Sequence, residues 1–235
     1  TKNAVISSYH PPFKKSLRSE RMLPRIVLVD PELSVSVPPA ITAWTGMHAI
    51  TQCIDSYISR RAKPVAQALA AEGLRRAVGA LVEAVRDGRS RTAREAMSHA
   101  ALLSGMALAN SGLGMAHGVA AALGVHARVP HGLACAVMLP AALATNRAVC
   151  ELLLARLARC VWDEFWPSDA AAAAAMIERI DELCQAVGVP RQLRELGVRR
   201  EQLPKIARDS RGNSMDGNPR TLTDDELLRL LEDLW

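Results

Sequence analysis

Aromatic side chains are nearly missing from this 235-residue chain, where Phe, Tyr and Trp together make up 3%. A core with so few rings has to be filled by Ala, Leu and Val, a composition that favours closely packed helices over sheets. The same scarcity removes the stacking platforms on which nucleic-acid bases are held. Charge of one sign is not concentrated either. The net charge is +5, and the basic residues are scattered in pairs such as Arg60-Arg61, Arg75-Arg76 and Arg199-Arg200. That is the pattern of a solvated basic surface, so no nucleic-acid partner is expected. No run of about 18 apolar residues goes uninterrupted, so no membrane partner is expected. A basic start followed by an apolar centre is also lacking. The five cysteines (Cys53, Cys135, Cys150, Cys160, Cys184) include no CxxC pair. Their odd count and apolar, helix-like surroundings predict buried, reduced thiols in a cytoplasmic protein.

What is present has the balance of an ordinary globular chain, 49% apolar and 23% charged. Residues 1–38 differ from the rest. Ala4-Val5-Ile6 and Ile26-Val27-Leu28-Val29 read as two strands, separated by His10-Pro11-Pro12 and a charged stretch ending at Pro24. Asp30-Pro31 and Pro38-Pro39 read as turns that close this segment. From Ala40 the pattern is helical, which makes the fold class mainly α. Thr42 is the expected N-cap of a helix running toward Ser59, and Pro64 the expected stop. Ala66, Ala70, Leu74, Val78, Leu81 and Val85 share one face of a helix ending at Asp87-Gly88. A further helix covers about 90–110, and short helices flank Val129-Pro130-His131-Gly132. Ser168 or Asp169 opens an Ala-rich helix through Val187, and Thr223-Asp224-Asp225-Glu226 opens the last one.

Two clusters place ligand-type side chains inside apolar helical sequence. His48 and Gln52 lie four apart, one turn along the same helix face, where two donors can share one cation. His117 follows Gly112-Leu113-Gly114, and His131 stands in Val129-Pro130-His131-Gly132. In one straight helix those two imidazoles would lie roughly 21 Å apart. Gly124 and Pro130 between them favour a turn instead. Spacing leaves two readings open: a metal site, or separate histidines satisfied in the core or at the surface, as expected for His99 and His126.

These stretches resemble the iron-containing (group III) alcohol dehydrogenases. Members of that family read Gly-Met-Asp-Ala-Leu-Thr-His on one helix, then Gly-Leu-x-x-x-His-Gly, then Pro-His-Gly-x-Ala-Asn about fourteen residues later. The counterparts here are Gly46-Met47-His48-Ala49-Ile50-Thr51-Gln52, residues 112–118, and Pro130-His131-Gly132-Leu133-Ala134-Cys135. Asp30-Pro31-Glu32-Leu33, Pro38-Pro39 and Gly217-Asn218-Pro219-Arg220 also match. The resemblance implies a two-domain oxidoreductase that transfers hydride between a small alcohol or aldehyde and NAD(P), assisted by a divalent metal, Fe²⁺ or Zn²⁺. It implies His48, Gln52, His117 and His131 as the metal ligands, with Asn3 and Lys14 facing the nucleotide. By the same resemblance, residues 39–235 form the all-helical, dehydroquinate-synthase-like metal domain. Residues 1–38 are then a short β remnant of the α/β nucleotide-binding domain.

The match has departures. His48 stands where the family has Asp, and Gln52 where it has its first His. Four residues after His117, where many alcohol-oxidising members carry another His, the chain has Ala121. No Gly-rich phosphate turn occurs, so the nucleotide-binding half is expected to be absent and the chain to be truncated. The alternative is a non-catalytic helical remnant or oligomerisation module, its edge strands favouring a homodimer.

Overall fold

Proline sets where the helical body begins. Pro39 and Pro64 each occupy the first turn of a helix, where the missing N–H has no partner to lose and the fixed φ suits the helix. A computed structural model describes residues 3–235. Its helices are α1 (Pro39–Ile58), α2 (Pro64–Arg86), α3 (Arg91–Ala109), α4 (Met115–His126), α5 (His131–Trp162), α6 (Asp169–Ala186), α7 (Leu203–Asp209) and α8 (Asp224–Asp233). Ahead of them β1 (Asn3–Tyr9) pairs antiparallel with β2 (Pro12–Arg18), Asn3 opposite Arg18 and Ser7 opposite Lys14. The chain is mainly α, as its composition predicts.

One contiguous core joins the helices, and aliphatic side chains fill it: Ile50, Ile54, Leu74, Leu81, Leu123 and Leu143 are fully buried. The expected stripe on α2 faces inward, with Ala66, Ala70, Leu74 and Leu81 buried and Val78 and Val85 packed against the core. α5 is long and apolar enough to cross a membrane by length and composition. Its apolar surface is covered instead by α1, α4 and α6.

Several helix ends follow local chemistry. Ser168 caps α6 by accepting from the Ala171 N–H, and Thr223 and Glu226 form a reciprocal box at the start of α8. α4 has only Gly114 at its N-cap, and its cap comes from far along the chain. The Asn218 Oδ1 accepts from the Met115 N–H at 2.9 Å. Asn218 and Asn146 also exchange amide hydrogen bonds of 2.9 and 2.8 Å inside the core. The Gly217-Asn218 motif near the C-terminus thus fastens α4 to α5.

The structure corrects five expectations. Ile26-Val27-Leu28-Val29 is not a strand: it is exposed, unpaired chain between Pro24 and Pro31, and β1 takes Pro12–Arg18 as its partner. A tight turn at His10-Pro11 puts β2 in register before the apolar run is reached. Thr42 is not a cap, because Pro39 has already started α1; its hydroxyl accepts from Arg94 instead. Pro64 opens α2 rather than ending growth. The segment after His131 is a single 32-residue helix, with Pro140 inside it and non-helical angles at Cys150. Finally, all five cysteines are free, but only four are buried; Cys160 is exposed.

Candidate metal centre

Three helices aim one imidazole each at a common point. His48 lies midway along α1, His117 in the first turn of α4, and His131 opens α5. The chain leaves α4 at His126 and reverses through Arg128, whose φ is +56°. That reversal brings His131 back to His117, where a straight helix would have separated them. The ring centroids of His48 lie 5.3 Å from His117 and 5.1 Å from His131, and those of His117 and His131 are 5.8 Å apart. Cys135 stands one turn beyond His131 on the same face of α5. One donor atom from each of His48, His117, His131 and Cys135 fits within 4.8 Å of all the others.

Glycine makes the approach possible. A Cβ on Gly132 would lie 2.6 Å from the Trp44 carbonyl oxygen, so the bare residue lets α5 press against α1 beside His48. At Gly114 a Cβ would lie 2.7 Å from Asp55 Oδ1. Without it, Asp55 on α1 reaches the start of α4.

Asp55 orients His117. Its Oδ2 lies 2.7 Å from His117 Nδ1, both side chains are buried, and a carboxylate accepts, so Nδ1–H donates. His117 Nε2 is left buried with no hydrogen-bond partner, turned toward the other rings. A second nitrogen anchored on a carboxylate is the usual support of a metal-binding histidine. Burial alone would lower the His117 pKa, but Cys135 and Asp55 beside it more than offset this and raise it to about 10. His48 goes the other way, to about 3, through burial and then the charges of His117 and Lys14. Burial and then Lys14, His117 and His48 likewise hold His131 down to about 3. Two of the three converging imidazoles are thus held against protonation, an arrangement that one divalent cation suits better than three protons.

A cleft of about 700 Å³ opens above the imidazoles. Gln52 lines it with the three histidines, and its Oε1 accepts from Ser104 Oγ at 2.8 Å. Asn3 and Lys14 line it from the hairpin side. Asn3 Oδ1 accepts from Arg18 Nε at 3.2 Å, and Lys14 Nζ lies 3.3 Å from His131 Nδ1. Burial lowers the Lys14 pKa, with Cys135 opposing. All six residues singled out in the sequence therefore meet at one cleft. His126 stays outside it, bound to Asp209 at 2.6 Å. Sequence reasoning overlooked Asp55 and Cys135. Each carried a signal: a carboxylate inside an apolar helix, and a thiol four residues after a histidine.

Residues 42–235 match the family model described as Fe-containing alcohol dehydrogenase family, C-terminal. The 1,3-propanediol dehydrogenase of Klebsiella pneumoniae is 35% identical over 230 residues, 97% of this chain and 59% of that protein. Lactaldehyde reductase of Escherichia coli K12 is 32% identical over 91% of this chain and 56% of its own length. Among solved structures, a 1,3-propanediol oxidoreductase superposes with a TM-score of 0.95 at 34% identity, covering 100% of this chain and 62% of its own. A sulfoacetaldehyde reductase from Bifidobacterium kashiwanohense in complex with NAD+ gives 0.90 at 29% identity, covering 100% and 60%. The chain spans about three fifths of the length of these relatives.

Proposed function

The chain belongs to the iron-containing alcohol dehydrogenase family, and we propose that it is the metal-holding part of an oxidoreductase that interconverts a small alcohol and its aldehyde with NAD(P). The observation that carries this reading is the convergence of His48, His117 and His131, with His117 Nε2 buried, unpartnered and backed by Asp55. That donor set fits a divalent cation: imidazole suits Fe²⁺ and Zn²⁺, and an orphaned buried nitrogen is otherwise a cost to the fold. When bound, such a metal supplies Lewis acidity toward a substrate oxygen, and the nicotinamide supplies the hydride acceptor or donor.

The chain's own residues do the rest. His48, His117 and His131 hold the cation; Gln52, which the motif implies as a ligand, lines the same cleft with its Oε1 engaged by Ser104. Lys14 Nζ lies 3.3 Å from His131 Nδ1 and lines the same cleft. There Lys14 and Asn3 face the nucleotide. The hairpin that carries both, with the rest of residues 1–38, belongs to the nucleotide-binding side, and residues 39–235 form the metal domain. The small alcohol or aldehyde substrate follows from relatives named 1,3-propanediol dehydrogenase and lactaldehyde reductase.

Elemental analysis of the purified chain tests the reading. About one divalent ion per chain is expected, as one shared ligand set requires. His117→Ala should abolish it, whereas a metal-free wild-type protein whose melting ignores added Zn²⁺ and Fe²⁺ would sink the proposal.

A further inference from the structure

Three neutral imidazoles leave a dication in a buried site without a negative ligand. The Asp55 carboxylate is taken up on the outer nitrogen of His117. Gln52 offers only a neutral carbonyl, already engaged by Ser104. Cys135 is different: its side chain is buried, its Sγ lies 3.8 Å from His131 Nε2, and it belongs to the group of four donors within 4.8 Å of one another. A tetrahedral zinc centre with ordinary Zn–N and Zn–S lengths has ligand-to-ligand edges of roughly 3.3–3.6 Å. The His131–Cys135 edge is nearly there already, and with every other edge within 4.8 Å the remaining donors close in by roughly 1.5 Å at most.

We infer that Cys135, as its thiolate, is the fourth donor to the cation held by His48, His117 and His131, giving a centre of three nitrogens and one sulfur. This rests on the metal reading proposed above. On binding, the protons held by Cys135 and His117 go to water as the metal–sulfur and metal–nitrogen bonds form, and no oxidation state changes. The thiolate lowers the charge of the buried centre from two to one, which a glutamine ligand cannot do. Sulfur also makes the site softer, favouring Zn²⁺ over the oxygen-seeking ions Mg²⁺ and Ca²⁺. A site closed by four protein donors admits a substrate oxygen only as a fifth ligand or by displacing one of the four.

Cobalt substitution reads the sulfur directly. The Co²⁺-loaded protein, in a Cys160→Ser background that removes the exposed thiol, should show a near-ultraviolet thiolate-to-cobalt charge-transfer band. Cys135→Ser should lose that band while the visible ligand-field bands persist at high cobalt, and Gln52→Ala should keep it. Zn²⁺ affinity in Cys135→Ser should fall by at least the roughly 10–100-fold that loss of an outer partner costs. X-ray absorption of the zinc-loaded wild type covers the case in which the variant does not fold: one sulfur near 2.3 Å is expected beside nitrogens at about 2.0–2.1 Å. One bound ion per chain with no sulfur shell and no charge-transfer band overturns the inference and leaves the metal reading standing. A band that survives Cys135→Ser overturns it too. No binding of cobalt or zinc at all removes the metal reading itself.

Discussion

The Asp55–His117 pair shows how much one side chain settles at this centre. By accepting the Nδ1 proton, Asp55 fixes which nitrogen of His117 faces the other rings. Asp55→Asn keeps an acceptor of similar shape but removes the charge, and is expected to weaken Zn²⁺ binding roughly 10–100-fold with the helix content unchanged. Competition against a chromophoric chelator, with circular dichroism as the control, measures it; an unaltered affinity would separate Asp55 from the site. Asp55 itself was not singled out in the sequence. His48, Gln52, His117 and His131 stood out because ligand-type side chains are rare in apolar helices, and the structure gathers all four at one cleft. Asp55 and Cys135 sit in equally apolar stretches; Gly124 and Pro130 pointed to a turn between α4 and α5, but not to both helices packing back on α1.

Elements were read well where periodicity is strong and poorly where a proline decides. The stripe of α2 and the caps of α6 and α8 came straight from pattern, since they depend only on neighbours in sequence. Pro39 and Pro64 suited a helix start as much as a stop, and only packing resolves that choice. The apolar run at residues 26–29 resembled a strand, but strands need partners and none lies beside it among the described residues. Two contacts between elements carry measurable consequences. Gly132→Ala would drive a methyl group into the Trp44 backbone, part α5 from α1, and lower stability by about 1–3 kcal/mol in urea unfolding. Asn218→Ala would strip the Met115 N–H and Asn146 of their buried partners. It is expected to cost about 2–4 kcal/mol, because unsatisfied polar groups are left in the core; a loss below 0.5 kcal/mol would mean that water takes the place of the amide.

At the scale of the whole molecule, the mainly helical class was legible because so few aromatics and so much Ala leave little choice. The join between hairpin and helices was not, because it depends on side chains such as Lys14 meeting residues more than a hundred positions away. Stripping the metal should lower the melting temperature of the whole chain. At free metal one hundred times Kd the linkage is worth about 2.7 kcal/mol, or roughly 5–10 °C for a protein of this size. Calorimetry with and without chelator checks this, and identical melting curves would count against the centre. The imidazoles stand on three helices, His48 on α1 far along the chain from His117 on α4 and His131 on α5. An ion cannot grip them until those helices have already docked, so it acts as a late clasp and not as a seed. Metal should therefore slow unfolding severalfold while leaving the refolding rate almost untouched, a kinetic hold on the finished fold that the unfinished one never feels.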